Sequence, residues 1–285
     1  MNRRTFLKRT ALTAGVTIGG GTAAWGYGRF EATWLRITRR TVTVDRLPPP
    51  FAGLRVALVT DPHHGPFNSL EYIASAVDAA NALAPDLIAV GGDYAHGGHG
   101  RRCLAPCLKE LGRLTAPLGV YGVPGNHDHW DDIDEARRCL RAAGITDLTN
   151  SGAWLERGGH RLRLAGVDDL ICGEPRPDLA VGADTGPDDC CVLVSHNPEI
   201  AETLADRRVR LVLSGHMHGG QVVIPGVGYH FLPARYGAKY VAGLVRGPVV
   251  PAYVSRGVGT IGLPVRFRCR PEVNLLTLVP PAAPA

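Results

Sequence analysis

The stretch Gly215-His216-Met217-His218-Gly219-Gly220-Gln221 directly follows an apolar run at residues 209–214. A short apolar run of this kind is typical of a buried strand, and glycines after it allow tight turns and the close approach of a ligand. If the stretch is extended, the side chains of His216 and His218 project to one side while Met217 turns away. Two imidazoles on one side of a strand end predict a metal site.

Other parts of the chain repeat this order of an apolar run followed by polar residues of the metal-ligand type. The runs at residues 54–60, 86–90, 118–123 and 191–195 read as buried strands. Ligands gather beyond the carboxyl ends of strands in α/β sheets, so we expect these clusters to converge on one rim. With the two histidines above, the candidate metal ligands are Asp61, His63, Asp93, Asn126, His196, His216 and His218.

The donor types favour particular metals. Carboxylate, amide and imidazole groups without a thiolate suit Mn, Fe, Zn or Co better than a structural cysteine-type zinc site. Seven donors exceed the ordinary coordination of one ion, so the sequence predicts two metal ions.

The order of the predicted elements indicates the fold class. Strands alternate with helices in the first half of the chain and dominate the second half, which predicts an α/β domain over residues 32–279. We expect two mixed β-sheets packed face to face and flanked by helices. The predicted elements include a strand within 32–44, a helix capped by Asn68 or Ser69, helices near 101–113 and 131–143, a hairpin at 150–167, and a loose Pro/Ala tail at 280–285.

The N-terminus reads as a targeting segment over residues 1–28, in which a basic start precedes an uncharged stretch from Thr10 to Gly28. The motif Arg3-Arg4-x-Phe6-Leu7-Lys8 resembles a twin-arginine export signal. The interpretation implies use of the Tat export machinery and a periplasmic location, or one on the outer face of a bacterial membrane. An uncleaved leader would provide membrane contact.

The charge distribution argues against a nucleic-acid partner. Residues 1–40 contain eight Lys or Arg and one acid, so 23 of the 31 basic residues and 25 of the 26 acids lie in the rest of the chain. A nearly neutral body offers no basic footprint for a phosphate backbone. The seven cysteines lack the CxxC spacing of a metal site, and we expect buried free thiols.

Taken in order, the polar clusters resemble the signature of the calcineurin-type metallophosphoesterase family. The matching motifs are Asp61-x-His63, Gly92-Asp93, Gly125-Asn126-His127-Asp128, Ser195-His196 and Gly215-His216-x-His218. Residues 255–260 and 263–267 also look like the exported YkuE-like branch of this family. The resemblance implies the four-layer sandwich of that family and two bound metal ions.

The resemblance also implies roles for the residues. Asp61, His63 and His218 would hold one ion, Asn126, His196 and His216 the other, and Asp93 would bridge them. His127, helped by Asp128, would act on the substrate as the catalytic pair. The implied reaction is hydrolysis of a small-molecule or lipid phosphate ester, most simply a phosphodiester, by in-line attack of a metal-bridging hydroxide.

One position departs from the family pattern. Many members carry an aspartate three residues after the Asp of the Gly-Asp motif, and here that position is His96. The change affects the group that orients His127 and leaves the ligand set complete. Two alternatives remain open, a pyrophosphatase acting on lipid-linked or nucleotide-sugar substrates and a non-catalytic metal-binding protein on the same scaffold.

Overall fold

The computed structural model describes residues 21–96, 98, 101–229 and 232–282. The twin-arginine motif and the last three residues of the predicted tail lie outside these ranges. The helices are α1 (21–33), α2 (Leu70–Ala82), α3 (Arg101–Leu111), α4 (Asn126–Asp131), α5 (Ile133–Ala142), α6 (Pro177–Val181) and α7 (Ile200–Thr203).

The strands are β1 (Arg36–Thr43), β2 (Leu54–Val59), β3 (Leu87–Val90), β4 (Val120–Gly122), β5 (Thr146–Asp147), β6 (Ser151–Arg157), β7 (His160–Gly166), β8 (Cys191–Val194), β9 (Val209–Ser214), β10 (Val223–Ile224), β11 (Gly228–Tyr229), β12 (Gly243–Arg246), β13 (Pro251–Val254) and β14 (Glu272–Val279). Sheet 1 has the order β1-β14-β2-β3-β4-β5, and sheet 2 has the order β12-β13-β9-β8-β7-β6. Both sheets are mixed, because β14 runs antiparallel to β2 and β6 runs antiparallel to β7. Strands β10 and β11 form a separate hairpin.

The two sheets pack face to face because their strands are apolar on both sides. In β2, Val56 and Leu58 pack in the core between the sheets, whereas Ala57 and Val59 pack in the core beneath α2, α3 and α5. A third core lies on the outer face of sheet 2, beneath α6 and α7. The predicted fold class, two mixed sheets flanked by helices, is therefore confirmed.

One element boundary differs from the sequence prediction. Residues 32–33 end α1 instead of opening a strand, and β1 begins only at Arg36. The helix predicted near 131–143 is confirmed as α5, which begins at Ile133. Its cap is Asp132, whose side chain accepts a hydrogen bond from the Glu135 amide.

Helix α1 packs on a segment that lies more than 200 residues later. The Gly28 carbonyl accepts a hydrogen bond of 3.0 Å from the Arg266 amide, and the buried Glu31 carboxylate accepts one of 2.6 Å from the Cys269 amide. Tyr27 meets the Phe267 ring edge to face at 5.7 Å. None of the helices in the described ranges is long and apolar enough to cross a bilayer. All seven cysteines are free thiols, five of them buried, as expected.

Candidate metal centre

The carboxyl ends of five strands bring the predicted ligands to one rim. Asp61 and His63 follow β2, Asp93 follows β3, Asn126 opens α4 just after β4, His196 follows β8, and the His216–His218 segment follows β9. All seven side chains are buried. Sheet 1 thus contributes the carboxylates, the amide and one histidine, and sheet 2 contributes the other three histidines.

The first group of candidate ligands, called triad A here, consists of Asp61, His63 and His218. Its ligand atoms all lie within 4.8 Å of one another. Nε2 of His63 is 3.0 Å from Nε2 of His218, and the latter is 3.5 Å from Oδ1 of Asp61. Side chains from both sheets therefore meet around one point.

The second group, triad B, consists of Asp93, His196 and His216, with ligand atoms that also lie within 4.8 Å of one another. Nε2 of His196 is 3.2 Å from Nδ1 of His216 and 3.2 Å from Oδ2 of Asp93. The same Oδ2 is 3.4 Å from Nε2 of His63, a member of triad A. Asp93 consequently stands between the two groups.

The hydrogen bonds of triad B fix which nitrogen of each imidazole points inward. Nδ1 of His196 is 2.7 Å from the Gly91 carbonyl, and Nε2 of His216 is 3.3 Å from the Pro233 carbonyl. A carbonyl only accepts, so each imidazole donates outward, and its neutral form has a lone pair on the inward nitrogen. Two lone pairs 3.2 Å apart require a cation or an added proton between them, which fits a metal-binding site.

Asn126 supports the same conclusion. Its side-chain oxygen is buried and accepts no hydrogen bond from the described part of the chain. An unpaired buried acceptor is destabilising unless a cation or a water satisfies it. The next residue, His127, donates its backbone N–H to Oδ1 of Asp93 at 2.9 Å, which ties this segment to triad B.

Burial and mutual charge set the pKa values in the site. Burial raises the pKa of Asp61 to about 6 and lowers that of His216 to about 3. Burial also lowers the pKa of His196, but the charge and the hydrogen bond of Asp93 outweigh it and raise that pKa well above the usual range. The site thus stabilises positive charge beside Asp93 and disfavours protonation of His216, as a cation site requires.

The backbone corrects one prediction from the sequence. His216 and His218 are not extended, because their φ angles are 70° and 48°, in the left-handed region. The two side chains therefore diverge, His216 to triad B and His218 to triad A, while Met217 packs in the core outside sheet 2. Asp61, His63 and Asp93 also have positive φ, so five of the ten such non-glycine residues in the described ranges are candidate ligands. Strain of this kind clusters at functional sites.

Asp128 stabilises the strained loop around Asp93. Its buried carboxylate accepts backbone hydrogen bonds from Asp93, Tyr94 and Gly125, each 2.8–2.9 Å long. Burial and the nearby charge of Asp93 raise the pKa of Asp128 to about 7. Both carboxylate oxygens are thus engaged by the backbone, an arrangement that suits a positioning residue.

His127 is buried beside triad A. Its ring centroid is 4.7 Å from that of His63, 4.5 Å from the exposed Trp130 and 5.9 Å from His96. Burial lowers the pKa of His127, so at neutral pH the ring is uncharged and can donate one N–H. Tyr94, by contrast, is buried and donates its hydroxyl hydrogen to the Val123 carbonyl, so it is a core residue.

Two supporting residues were missed from the sequence as parts of the site. Arg266 is fully buried, and its guanidinium donates to five backbone carbonyls and approaches Nδ1 of His218 at 3.4 Å. The sequence predicts Asn68 or Ser69 as the cap of α2, and Ser69 is the cap. The Asn68 amide donates instead to the carbonyls of His63 and Thr260. For Arg266, the sequence offers one signal, which is the presence of an arginine within the apolar run at 263–267.

Taken together, a four-layer sandwich with two Asp/His groups at the strand ends is the arrangement of a metal-dependent phosphoester hydrolase. A model of the calcineurin-like phosphoesterase family matches residues 54–220. The chain belongs to the calcineurin-like phosphoesterase family.

Two known proteins that are similar to this chain over nearly its full length agree with the family assignment. The chain is 33% identical to the metallophosphoesterase YkuE of Bacillus subtilis (strain 168), covering 98% of each chain. It is 31% identical to the phosphodiesterase YaeI of Escherichia coli (strain K12), covering 98% of this chain and 100% of the other. The predicted YkuE-like branch is therefore confirmed. Among solved structures, the 5'-nucleotidase precursor from Thermus thermophilus superposes with a TM-score of 0.45 at 17% identity, over 79% of this chain and 54% of that one.

Proposed function

We propose that the chain is an exported phosphodiesterase with two metal ions. In this proposal triad A holds one ion, triad B with Asn126 holds the other, and Asp93 contacts both. The observation that carries it is Oδ2 of Asp93, which lies 3.4 Å from His63 and 3.2 Å from His196. Two bound ions would supply positive charge to the phosphate ester and activate water for attack.

The chain's own residues would bind and orient the ester. His127 stands beside triad A, where its neutral ring would donate a hydrogen bond to a phosphate oxygen or to the leaving group. Trp130, with more than half of its surface exposed, would cover one side of the bound ester. Asp128 and Arg266 would hold the ligand loops in place without contacting the ester.

His96 bears on the kind of leaving group. Its ring centroid lies 5.9 Å from His127, and an imidazole cannot supply the fixed negative charge of the carboxylate that many family members have there. A weaker proton donor favours esters whose leaving groups depart unaided. We therefore expect faster cleavage of aryl esters than of alkyl esters, and the His96→Asp variant should narrow that difference several-fold.

Hydrolysis of bis(p-nitrophenyl) phosphate beside p-nitrophenyl phosphate tests the activity. The protein is stripped of metal and refilled with Mn, Zn, Fe or Co, and His216→Ala is compared with the exposed-site variant His160→Ala. Metal-dependent cleavage of the diester that disappears only in His216→Ala would support the proposal. Two bound ions without turnover of either ester would favour a non-catalytic metal-binding protein instead.

Export rests on the motif Arg3-Arg4-x-Phe6-Leu7-Lys8. A fusion of residues 1–40 to a folded reporter should reach the extracytoplasmic space, and replacing Arg3 and Arg4 by lysine should retain the reporter in the cytoplasm. A reporter that stays inside with the native motif would contradict export. Cleavage at the small residues near Ala24 would fall within α1, so the proposal includes an uncleaved leader.

A further inference from the structure

Helix α1 and Trp34, the residue that follows it, expose large aromatic side chains. Trp25 is 51% exposed, Phe30 57% and Trp34 45%, and Tyr27 is exposed to a similar degree. A helix in water normally confines its apolar residues to the face that it buries. Tryptophan and tyrosine are instead typical of the boundary between lipid and water.

Two other segments extend this apolar surface. A cavity of about 430 Å³ is open beside α1, and its lining includes Trp25, Ile224 of β10 and Leu263. Ile224 and Leu263 are themselves 39% and 45% exposed. We call the combined surface the aromatic face; it comprises Trp25, Tyr27, Phe30, Trp34, Ile224 and Leu263.

The exposed charges beside the aromatic face are positive. Arg29 of α1 contacts the Pro264 carbonyl, and the Arg270 guanidinium lies 3.8 Å above the Trp34 ring. Arg268 is exposed between them in the sequence segment 263–271, which contains no acid. The single acid of α1, Glu31, is buried against the Cys269 amide and presents no charge to the outside.

The aromatic face adjoins the loop that carries His218. Gln221, three residues after His218, donates to the carbonyls of Ile261 and Leu263. The backbone carbonyl of Gln221 accepts a hydrogen bond from the Phe267 amide. Direct hydrogen bonds therefore connect the aromatic face to the loop that carries His218 of triad A.

We propose that the aromatic face rests on the surface of a bilayer that contains anionic phospholipid. Aromatic side chains would enter the headgroup region while Arg29, Arg268 and Arg270 contact lipid phosphates, and the metal centre would be held close to that surface. In the sequence, the stretch from Thr10 to Gly28 contains no charged residue. The inference is independent of the proposed reaction and of export.

Vesicle binding by the full-length protein tests the proposal. The background carries Trp130→Phe and Trp154→Phe, so that Trp25 and Trp34 are the only fluorescent tryptophans. Vesicles of phosphatidylcholine with about 30% phosphatidylglycerol should bind the protein, shift its emission to the blue, and allow quenching by lipids brominated near the headgroup. We expect Ile224→Glu with Leu263→Glu to weaken binding about tenfold, because two charges would enter the interface.

Matched variants separate the aromatic face from the leader. Residues 1–20 are the same in every variant, so a difference between variants reports on the folded surface. Leu179→Glu, which changes an exposed leucine of α6 outside sheet 2, should bind as strongly as the parent protein. Circular dichroism confirms that each variant is folded.

Several outcomes would overturn the proposal. One is equal binding by the Ile224→Glu/Leu263→Glu variant and its parent. Another is continued quenching of Trp25 and Trp34 by aqueous acrylamide when vesicles are bound. Protection from acrylamide without vesicles would show that residues 1–20 or a second copy covers the face, and light scattering distinguishes these two occupants.

Discussion

Triads A and B are built from the same residue types but are supported differently. In triad B both outward imidazole nitrogens face backbone carbonyls, at 2.7 Å and 3.3 Å, so the rings are oriented to receive a cation. In triad A the outward nitrogen of His63 contacts no partner in the described ranges, and that of His218 lies 3.4 Å from the Arg266 guanidinium.

The difference has an electrostatic consequence. A cation on Nε2 of His218 requires the ring hydrogen on Nδ1, where it faces the hydrogens of Arg266. Arg266 adds a positive charge to the same neighbourhood, and together with burial and His63 it lowers the pKa of His218 well below the usual range. We therefore expect the two positions to differ in metal affinity although their ligands are similar, with triad B filling first.

The largest effect is expected from removing the residue that the triads share. Asp93→Asn takes the negative charge from between His63 and His196, so bound metal should fall from two ions towards one. Activity on the diester should fall on the order of 10³-fold, as measured by kcat and by elemental analysis. Asp168→Asn, outside both triads, is the matched control. Two retained ions with activity within tenfold of the parent would refute the bridging position of Asp93.

The next largest effect is expected from Arg266, which approaches His218 of triad A and has no counterpart beside triad B in the described part of the chain. Arg266→Gln removes most of the hydrogen bonds to the surrounding carbonyls, so the free energy of unfolding should fall by about 3 kcal/mol in urea titrations. Loss of the charge should also bring the two metal affinities closer together. Arg208→Gln, at a partly exposed arginine, should have a much smaller effect. An unchanged gap between the affinities would show that Arg266 does not set it.

A smaller effect is expected in the difference between the metal affinities of triads A and B. Calorimetric titration of the metal-free protein with Mn²⁺ should show two steps whose affinities differ about tenfold, because the Arg266 guanidinium approaches a ligand of triad A. His196→Ala should abolish the tighter step and His63→Ala the weaker one. The reverse assignment would contradict the comparison between the triads.

The smallest effect involves the end of α4, the helix that begins with Asn126 of the triad B site. His129 is 2.7 Å from Asp168, and this hydrogen bond raises the pKa of His129. Burial raises the pKa of Asp168, but its hydrogen bonds outweigh burial and lower it. The contribution of protonated His129 to the free energy of unfolding is fully present below the unfolded-state pKa of about 6.5. It is lost as pH rises through the higher pKa of the folded state.

The contribution of ionised Asp168 to the free energy of unfolding is present above the unfolded-state pKa of about 3.9. It is lost as pH falls through the lower pKa of the folded state. His129→Gln should therefore reduce stability at pH 5.5 by about 0.5–1 kcal/mol more than at pH 8.5. Urea unfolding at both pH values measures the difference, and His160→Gln serves as the exposed control. An equal loss at both pH values would exclude the ion pair as its cause.

The candidate ligands and the sheets were predictable because they depend on local order. An apolar run followed by Asp, His or Asn repeats five times, and parallel strands bring such ends together. The contrast between the triads was not predictable. It depends on which nitrogen of each ring meets a carbonyl, and the carbonyl of Gly91 reaches His196 across 105 residues of sequence.

The sequence predictions that were wrong also concern residues whose conformation depends on distant segments. The sequence predicts an alternation of side chains along an extended strand for His216 and His218, but the glycine-rich loop holds both in left-handed conformations. The His216 amide donates a hydrogen bond to the distant Asp61 carboxylate in this conformation. Asn68 was a reasonable cap by residue type, yet the loop at Thr260 engages both its amide and its carbonyl oxygen. Local patterns carry no information on which distant segment will contact them.

The position of β14 has a consequence for the order in which this protein is made. The strand lies between β1 and β2, and its register pairs Arg36 with Glu272 and Leu54 with Leu278. An interior strand of sheet 1 is therefore synthesised after the other described strands, and β1 has no neighbour in that sheet until residues 272–279 have been made. A stop codon shortly before residue 272 would remove this interior strand instead of an edge strand, so β1 would have no partner in sheet 1.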